Sequence, residues 1–174
     1  MTEIRVATAE DAPAIVALHR EVLGERSWFI TLPGELFGGV DQRIRQLREF
    51  ARSHNSTCLI ALQGPRIVGF VTATGGPLAR MRHTAKIEVM VAKDVRGAGV
   101  GKALMEACIA WAVASPVVEK LGLAVFADNE RAIAMYRSLG FVEEGRRLRE
   151  YRMDDGTYRD DVLLCRPVKD APTR

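Results

Sequence analysis

The residues best suited to chemistry lie between Val89 and Trp111, in the run VMVAKDVRGAGVGKALMEACIAW. Val89, Met90 and Val91 close an apolar stretch. Arg96, Gly97, Ala98, Gly99, Val100, Gly101 and Lys102 follow as a glycine loop flanked by two cations. Val100, Leu104, Cys108 and Trp111 then recur at helical spacing, with Ala103 and Ala107 beside them. The pattern predicts a strand, a tight loop and a helix. Glycine permits positive φ and close backbone approach, so such a loop can turn its N–H groups toward one point. The helix adds its unpaired first-turn N–H groups and the positive end of its dipole. Together they make a cradle for phosphate oxygens. The spacing is neither that of the dinucleotide fingerprint, G-x-G-x-x-G after the first strand, nor that of the P-loop, G-x-x-x-x-G-K-[ST].

A second set of residues follows the apolar run Leu121 to Ala127. Asp128 and Asn129 are placed to cap a helix. Ala132, Met135, Tyr136 and Leu139 form its inward stripe, and Gly140 stops it. Asn129 and Tyr136 stand two helical turns apart, so both can face one cleft. Taken singly, Asn129 reads as a plain helix cap and Tyr136 as a core aromatic with its hydroxyl satisfied.

The R-G-x-G-x-G loop between strand and helix, followed by Asn129, Tyr136, Leu139-Gly140-Phe141 and Gly145, resembles the two motifs of the GCN5-related N-acetyltransferases in order and spacing. The resemblance covers residues 1 to 168 in element order and is most specific from about 85 to 145. The run Arg82-His83-Thr84-Ala85 and the D-G-x-Y-x-D segment from Asp155 to Asp160 are similar to the branch that acetylates small primary amines, amino acids included. The resemblance implies acetyl-coenzyme A as cosubstrate and direct attack by the amine in a ternary complex. It implies that the backbone of Val89, Met90 and Val91 pairs with the pantetheine arm, where the strands splay. Residues Arg96 to Lys102 would hold the pyrophosphate, with Asn129 and Ala132 also lining the cofactor site. Tyr136 would sit near the thioester sulfur as proton donor. A homodimer belongs to the same expectation.

The base is less well marked. Glu88 is the only carboxylate in the central strand, although the family's glutamate looks nearer Ala85. His83 and Glu21 are alternatives, as is proton loss through ordered water. Trp28 and Phe29, in an irregular apolar stretch with Leu32, Leu36 and Phe37, are assigned with His83 to substrate binding. Two other readings stay open: acetylation of a protein N-terminus or lysine, and a non-catalytic module binding coenzyme A as a regulator.

Composition narrows the class. The chain has 174 residues, enough for one domain with a real core. It is 48% hydrophobic and 27% charged, with a net charge of +3, so nothing demands a nucleic-acid partner. Arg43, Arg45, Arg48 and Arg52 crowd one helix. They read as a solvated face or a carboxylate-substrate site, and they weigh against basic protein tails as substrate. Cys58, Cys108 and Cys165 each lie in an apolar run and read as buried free thiols, which fits a cytoplasmic protein. No signal core or membrane span is expected, and no metal, since the three histidines form no ligand spacing.

The positioning elements follow in order. A strand at Ile4–Ala7 precedes a helix opened by Thr8 and Asp11 and ended by Gly24. A second helix runs from Asp41 to Ser53, with Ile44, Leu47 and Phe50 on its apolar side. Thr57–Leu62 and Ile67–Ala73 form a hairpin, and Thr84–Val91 is the central strand. Leu121–Ala127 reads as a strand buried on both faces. Leu148–Met153 and Tyr158–Cys165 form a second hairpin, and Lys169–Arg174 a polar tail. The expected fold is α/β (α+β): one domain over 1–168, with a mixed, mostly antiparallel twisted sheet of about seven strands, helices on both faces and a splayed cleft.

Overall fold

Thr8 and Asp11 make the chain's first fixed point. The Thr8 N–H donates to the Asp11 carboxylate at 2.8 Å, and Arg5 grips the same carboxylate at 2.7 and 2.8 Å. This is half of a capping box, and it launches the first helix from the end of the first strand. The structure, a computed structural model, describes residues 2–35 and 38–170. Leu36, Phe37 and the last four residues of the expected polar tail lie outside them.

The strands are β1 (Glu3–Val6), β2 (Thr57–Gln63), β3 (Arg66–Gly75), β4 (Thr84–Val91), β5 (Lys120–Phe126), β6 (Val142–Arg152) and β7 (Tyr158–Pro167). The helices are α1 (Ala12–Gly24), α2 (Gly39–Phe50), α3 (Val100–Ala114) and α4 (Glu130–Ser138). The seven strands form one sheet in the order β1-β2-β3-β4-β5-β7-β6. Only the β4–β5 pair is parallel. The expected mixed, mostly antiparallel seven-stranded sheet is therefore the one observed.

Two apolar cores cover the two faces. One gathers Leu104, Met105, Cys108 and Ala112 of α3 with Val68, Val71, Ile87 and Leu121, and extends to Tyr136, Leu139 and Phe141. The other packs Ile15, Leu18, Val22 and Leu23 of α1 and Leu47 of α2 against Ile60, Phe70 and Met90. Period-2 alternation assigns the faces. Met90 looks toward α1, whereas Ile87, Val89 and Val91 look toward α3.

The central strand divides the sheet. β4 pairs with β3 from Ala85 to Val91, but with β5 only through Thr84, Ala85 and Lys86, opposite Lys120, Leu121 and Gly122. β5 continues alongside β7 as far as Phe126 opposite Asp161. From Ile87 onward, β4 and β5 therefore part, and a cleft opens between them.

Several expectations need correction. β5 is not buried on both faces: Ala124 is exposed and Val125 half-buried, because β4 has parted from the strand here and leaves it bordering the cleft. α2 starts two residues earlier than expected and ends at Phe50. β6 begins at Val142 rather than Leu148, since the strand runs on past a bulge between Arg147 and Tyr151. Ile133 joins Tyr136 as the buried residues of α4. Cys165 is half-buried, while Cys58 and Cys108 are buried. Among the described residues, no helix is long and apolar enough to cross a membrane.

Candidate active site

The cleft between the parted strands encloses about 1000 Å³. One wall is Ile87, Glu88, Val89 and Val91 of β4, and the other is Gly122 to Phe126 of β5; the side chain of Met90, expected at the cofactor site, is buried in the α1-side core instead and does not line the cleft. The glycine loop and the start of α3 lie at one end. Gly97 has φ +88 and Gly99 φ +83, a region open to glycine but costly for other residues. The first helical bond of α3 runs from the Ala103 N–H to the Gly99 carbonyl at 3.0 Å. The N–H groups of Val100, Gly101 and Lys102 thus have no helical carbonyl to bond. A Cβ placed on Gly99 would meet nothing within 4 Å, so the loop leaves free volume beside these donors.

Arg96 is not the loose cation that the motif suggests. Its Nη atoms hold the Glu25 carboxylate at 2.6 and 2.7 Å, and its Nε donates to the Val91 carbonyl at 3.0 Å. It ties the end of β4 to the segment after α1. Lys102 and Arg131 supply freer charge at the same end of the cleft. Gly97, Gly99 and Gly101 line the cleft; Val100 is buried in the core, and Ala98 lies outside the lining.

The remaining candidates are distributed unevenly. Trp28 and Phe29 line the cleft. Arg159 secures them: it donates to the Ser27 carbonyl at 2.6 Å, pairs with Asp128 at 3.3 Å and stacks over the rings of Trp28 and Phe126. Asn129, Ala132, Met135 and Tyr136 line it from α4. The Asn129 Oδ1 accepts from the Ala132 N–H at 3.2 Å, so this residue is a helix cap whose amide NH₂ remains available. Asn129→Ala is expected to cost about 1 kcal/mol of stability, measured as a lower denaturation midpoint. His83 is exposed at the closed end of β4, where its carbonyl accepts from Glu119 and Lys120, and it does not line the cleft. Glu21 is exposed on α1 and does not line it either. Ala85 is buried in the core.

Tyr136 is 8% exposed, against Phe141 at a ring separation of 5.9 Å. Burial pushes its phenol up to about 12, so it remains protonated at any working pH. Glu88 is exposed by surface area, with its side chain open to the cleft, yet the protein around it withdraws enough bulk water to raise its carboxyl above the usual value, while the Arg43 charge pulls it back. Burial holds the Cys58 and Cys108 thiols near 12, which leaves neither as a thiolate nucleophile.

The motifs did not reveal a second chamber. A cavity of about 600 Å³ lies between α2 and the β3–β4 face, lined by Arg43, Arg45, Gln46, Thr72, Lys86 and Glu88. Glu88 and Lys86 line both chambers, so the cleft and this cavity meet at β4. The register explains why. Thr72 faces Glu88 and Thr74 faces Lys86, on the face that Phe70 and Met90 present to α1. The opposite wall also carries residues not anticipated: the buried Asp161 accepts from Arg147 at 2.5 Å and from the Tyr151 hydroxyl at 3.4 Å.

Comparison with known proteins gives a consistent result. The sequence model of the acetyltransferase (GNAT) family matches residues 25–141. The phosphinothricin N-acetyltransferase of Alcaligenes faecalis is 27% identical over 173 residues, spanning 98% of this chain and 84% of that protein. An L-amino acid N-acetyltransferase of Escherichia coli K12 is 31% identical over 112 residues, 62% of this chain and 66% of its own length. The crystal structure of a GNAT-family acetyltransferase from Streptococcus pneumoniae superposes with a TM-score of 0.92 at 28% identity, over 96% of this chain and 99% of that one.

Proposed function

The chain belongs to the acetyltransferase (GNAT) family and is an N-acetyltransferase by that membership; from this premise we propose that it moves an acetyl group from acetyl-coenzyme A to the primary amine of a small molecule or amino acid, by direct attack in a ternary complex. One observation carries the reading: the parted β4 and β5 form a cleft with a phosphate-type cradle at one end and a protonated phenol and a carboxylate further in. The donor set suits the cosubstrate. The free volume at Gly99 and the unpaired N–H groups of Val100 to Lys102 match a pyrophosphate, with Lys102 and Arg131 as counter-charge. The edge of β4 at Val89 to Val91, unpaired by β5 although Arg96 already bonds the Val91 carbonyl, offers its remaining backbone groups to the amides of an extended pantetheine, as an added strand would. Asn129 offers its amide NH₂.

The bound thioester supplies an activated acyl group; the chain's own residues manage protons and charge. A free alkyl ammonium has a pKa of about 10.4, so the attacking amine must lose a proton. Glu88, whose raised carboxyl makes it a better base than an ordinary glutamate, accepts it directly or through water. An N–H on the free edge of β4 can stabilise the developing oxyanion. The Tyr136 hydroxyl donates toward the departing sulfur.

Glu88→Gln is expected to lower kcat/KM for the amine by about 100-fold. In the wild type, kcat/KM rises with pH through a carboxyl pKa above the usual value; in the variant that limb vanishes, and only the amine's own ionisation remains. The stability effect has the opposite sign. A carboxyl raised by desolvation destabilises the folded state above its pKa, so Gln at this site is not expected to lower the melting temperature at neutral pH. Rate–pH profiles and thermal melts of both proteins check this. The proposal itself is tested by calorimetric titration with acetyl-coenzyme A, followed by thiol release against amines and amino acids. Absence of binding would overturn it.

A further inference from the structure

The α2-side cavity contains an unresolved charge. Arg43 is 9% exposed, and among the described residues no carboxylate lies within 4 Å of it. Its Nη1 donates to Gln46 Oε1 at 2.8 Å, and its Nη2 to His19 Nδ1 at 3.0 Å. Its plane lies over the Phe70 ring, 5.5 Å from the centroid. None of these partners carries negative charge. His19 is buried, and burial together with the nearby guanidinium brings it down to about 4, so it is neutral at pH 7. A neutral His19 with Nδ1 as acceptor is the tautomer this contact requires. Two of the five guanidinium N–H groups are thus used, and the rest have no side-chain partner among the described residues.

A buried cation without a counter-ion is expensive unless an anion arrives to pair with it. Here the cation faces a cavity. The same cavity is bordered by Glu88, whose carboxyl responds to the Arg43 charge but stands beyond 4 Å from it. The exposed Arg45 and Lys86 add positive charge at its edge, and Glu49 is the remaining acid. A fixed cation and a carboxylate, separated but facing one space, form a receptor for a small molecule with the complementary pair of charges.

We infer that this cavity is the acceptor site and that it selects acceptors bearing a carboxylate beside the amine, with the carboxylate held by Arg43 and the amine directed to Glu88. The inference rests on the acetyltransferase reading and narrows its substrate class. α-Amino acids and related zwitterions fit. Polyamines do not, because a second ammonium group would meet Arg43.

The test compares a panel of L-amino acids with their C-terminal amides and with spermidine, on the wild type, Arg43→Gln and Arg43→Lys. In the wild type, the acid should be preferred over its amide at least tenfold in kcat/KM expressed per unprotonated amine, and on that scale spermidine should be the poorest acceptor. Arg43→Gln should abolish the preference by raising KM for the acid at least tenfold while leaving that for the amide nearly unchanged; Arg43→Lys should restore part of it. The change in the acid-to-amide ratio from wild type to variant cancels any effect of the substitution on Glu88 or on folding, since each acceptor's own amine ionisation is the same in every protein assayed. Equal loss for acid and amide, or a wild type that prefers amides or spermidine, overturns the inference. If the enzyme transfers acetyl to no amine, the acetyltransferase reading fails first, and calorimetric titration with the same acids and amides still decides the site: binding of acids that Arg43→Gln removes supports it, and equal binding of amides overturns it.

Discussion

Gly99→Val is expected to weaken acetyl-coenzyme A binding by about three orders of magnitude in a protein that remains folded. At φ +83, glycine carries no penalty, whereas a β-branched residue there is a backbone outlier. The left-handed region costs about 1–2 kcal/mol for an L-residue. No neighbouring atom lies within 4 Å of the new Cβ, so the fold does not resist by collision. The loop relieves the strain by leaving positive φ, which turns its N–H groups away from their common focus. Losing two charge-assisted hydrogen bonds, at about 1.5–3 kcal/mol each, gives roughly 4 kcal/mol, and each 1.4 kcal/mol is a factor of ten in Kd. Gly156 provides the control. It has φ +82 and equally open surroundings in the turn between β6 and β7, outside the cleft lining. Valine at 156 should lower stability and leave binding intact. Calorimetry and thermal melts on both variants separate strain from function; normal binding by the Gly99 variant would remove the pyrophosphate role.

Tyr136→Phe is expected to lower kcat by about 10³-fold, within the range for a lost proton donor, with acetyl-coenzyme A affinity little changed. The substitution removes one oxygen and preserves the ring packed against Phe141. A phenol at about 12 is a poor acid in the free protein, and its raised pKa keeps the proton in place until negative charge develops beside it. The loss should therefore appear in kcat rather than KM, and should not vary between pH 6 and 9, since the wild-type hydroxyl does not titrate there. Single-turnover thiol release at saturating substrates measures it. An undiminished rate would take the donor role away from Tyr136.

How much of this was legible in the sequence varied by residue. The bounds of β4 were readable because an apolar run ended at a glycine loop, and both signals are local. The seam between β4 and β5 was not, because a parting of strands is a matter of pairing and leaves β5 reading as a continuous apolar run. Arg43 was not singled out, for a different reason. Val40, Arg43, Leu47 and Phe50 follow helical spacing, so Arg43 occupies a position on the apolar stripe. Grouped with the arginines around it, it shares their two readings, a solvated face or a carboxylate-substrate site; taken with the stripe, it stands out as a buried cation. The Arg147–Asp161 pair was hidden by the bulge in β6. Register counted from the Asp155-Gly156 turn sets Tyr151 opposite Arg159, and carried onward it would set Arg147 opposite Leu163; the bulge shifts it so that Arg147 meets Asp161. Arg149, at φ +52, is the backbone mark of that shift, and no residue type announces it.

Three register pairs are the whole of the hydrogen-bonded join between β4 and β5. To one side stand β1 to β4, and to the other β5, β7 and β6, bridged mainly by the side chains of the α3-face core. In a sheet joined this way the narrow join is the place where the two parts are expected to open separately, which hydrogen exchange along β4 and β5 would show. A ligand seated between the parted strands bonds to both parts and opposes their separation. At a hundred times its Kd, it adds about 2.7 kcal/mol to the folded state. If the gap is the cosubstrate's seat, cosubstrate supply becomes a determinant of how long the protein survives: the melting temperature is expected to rise with acetyl-coenzyme A concentration, which thermal melts measure.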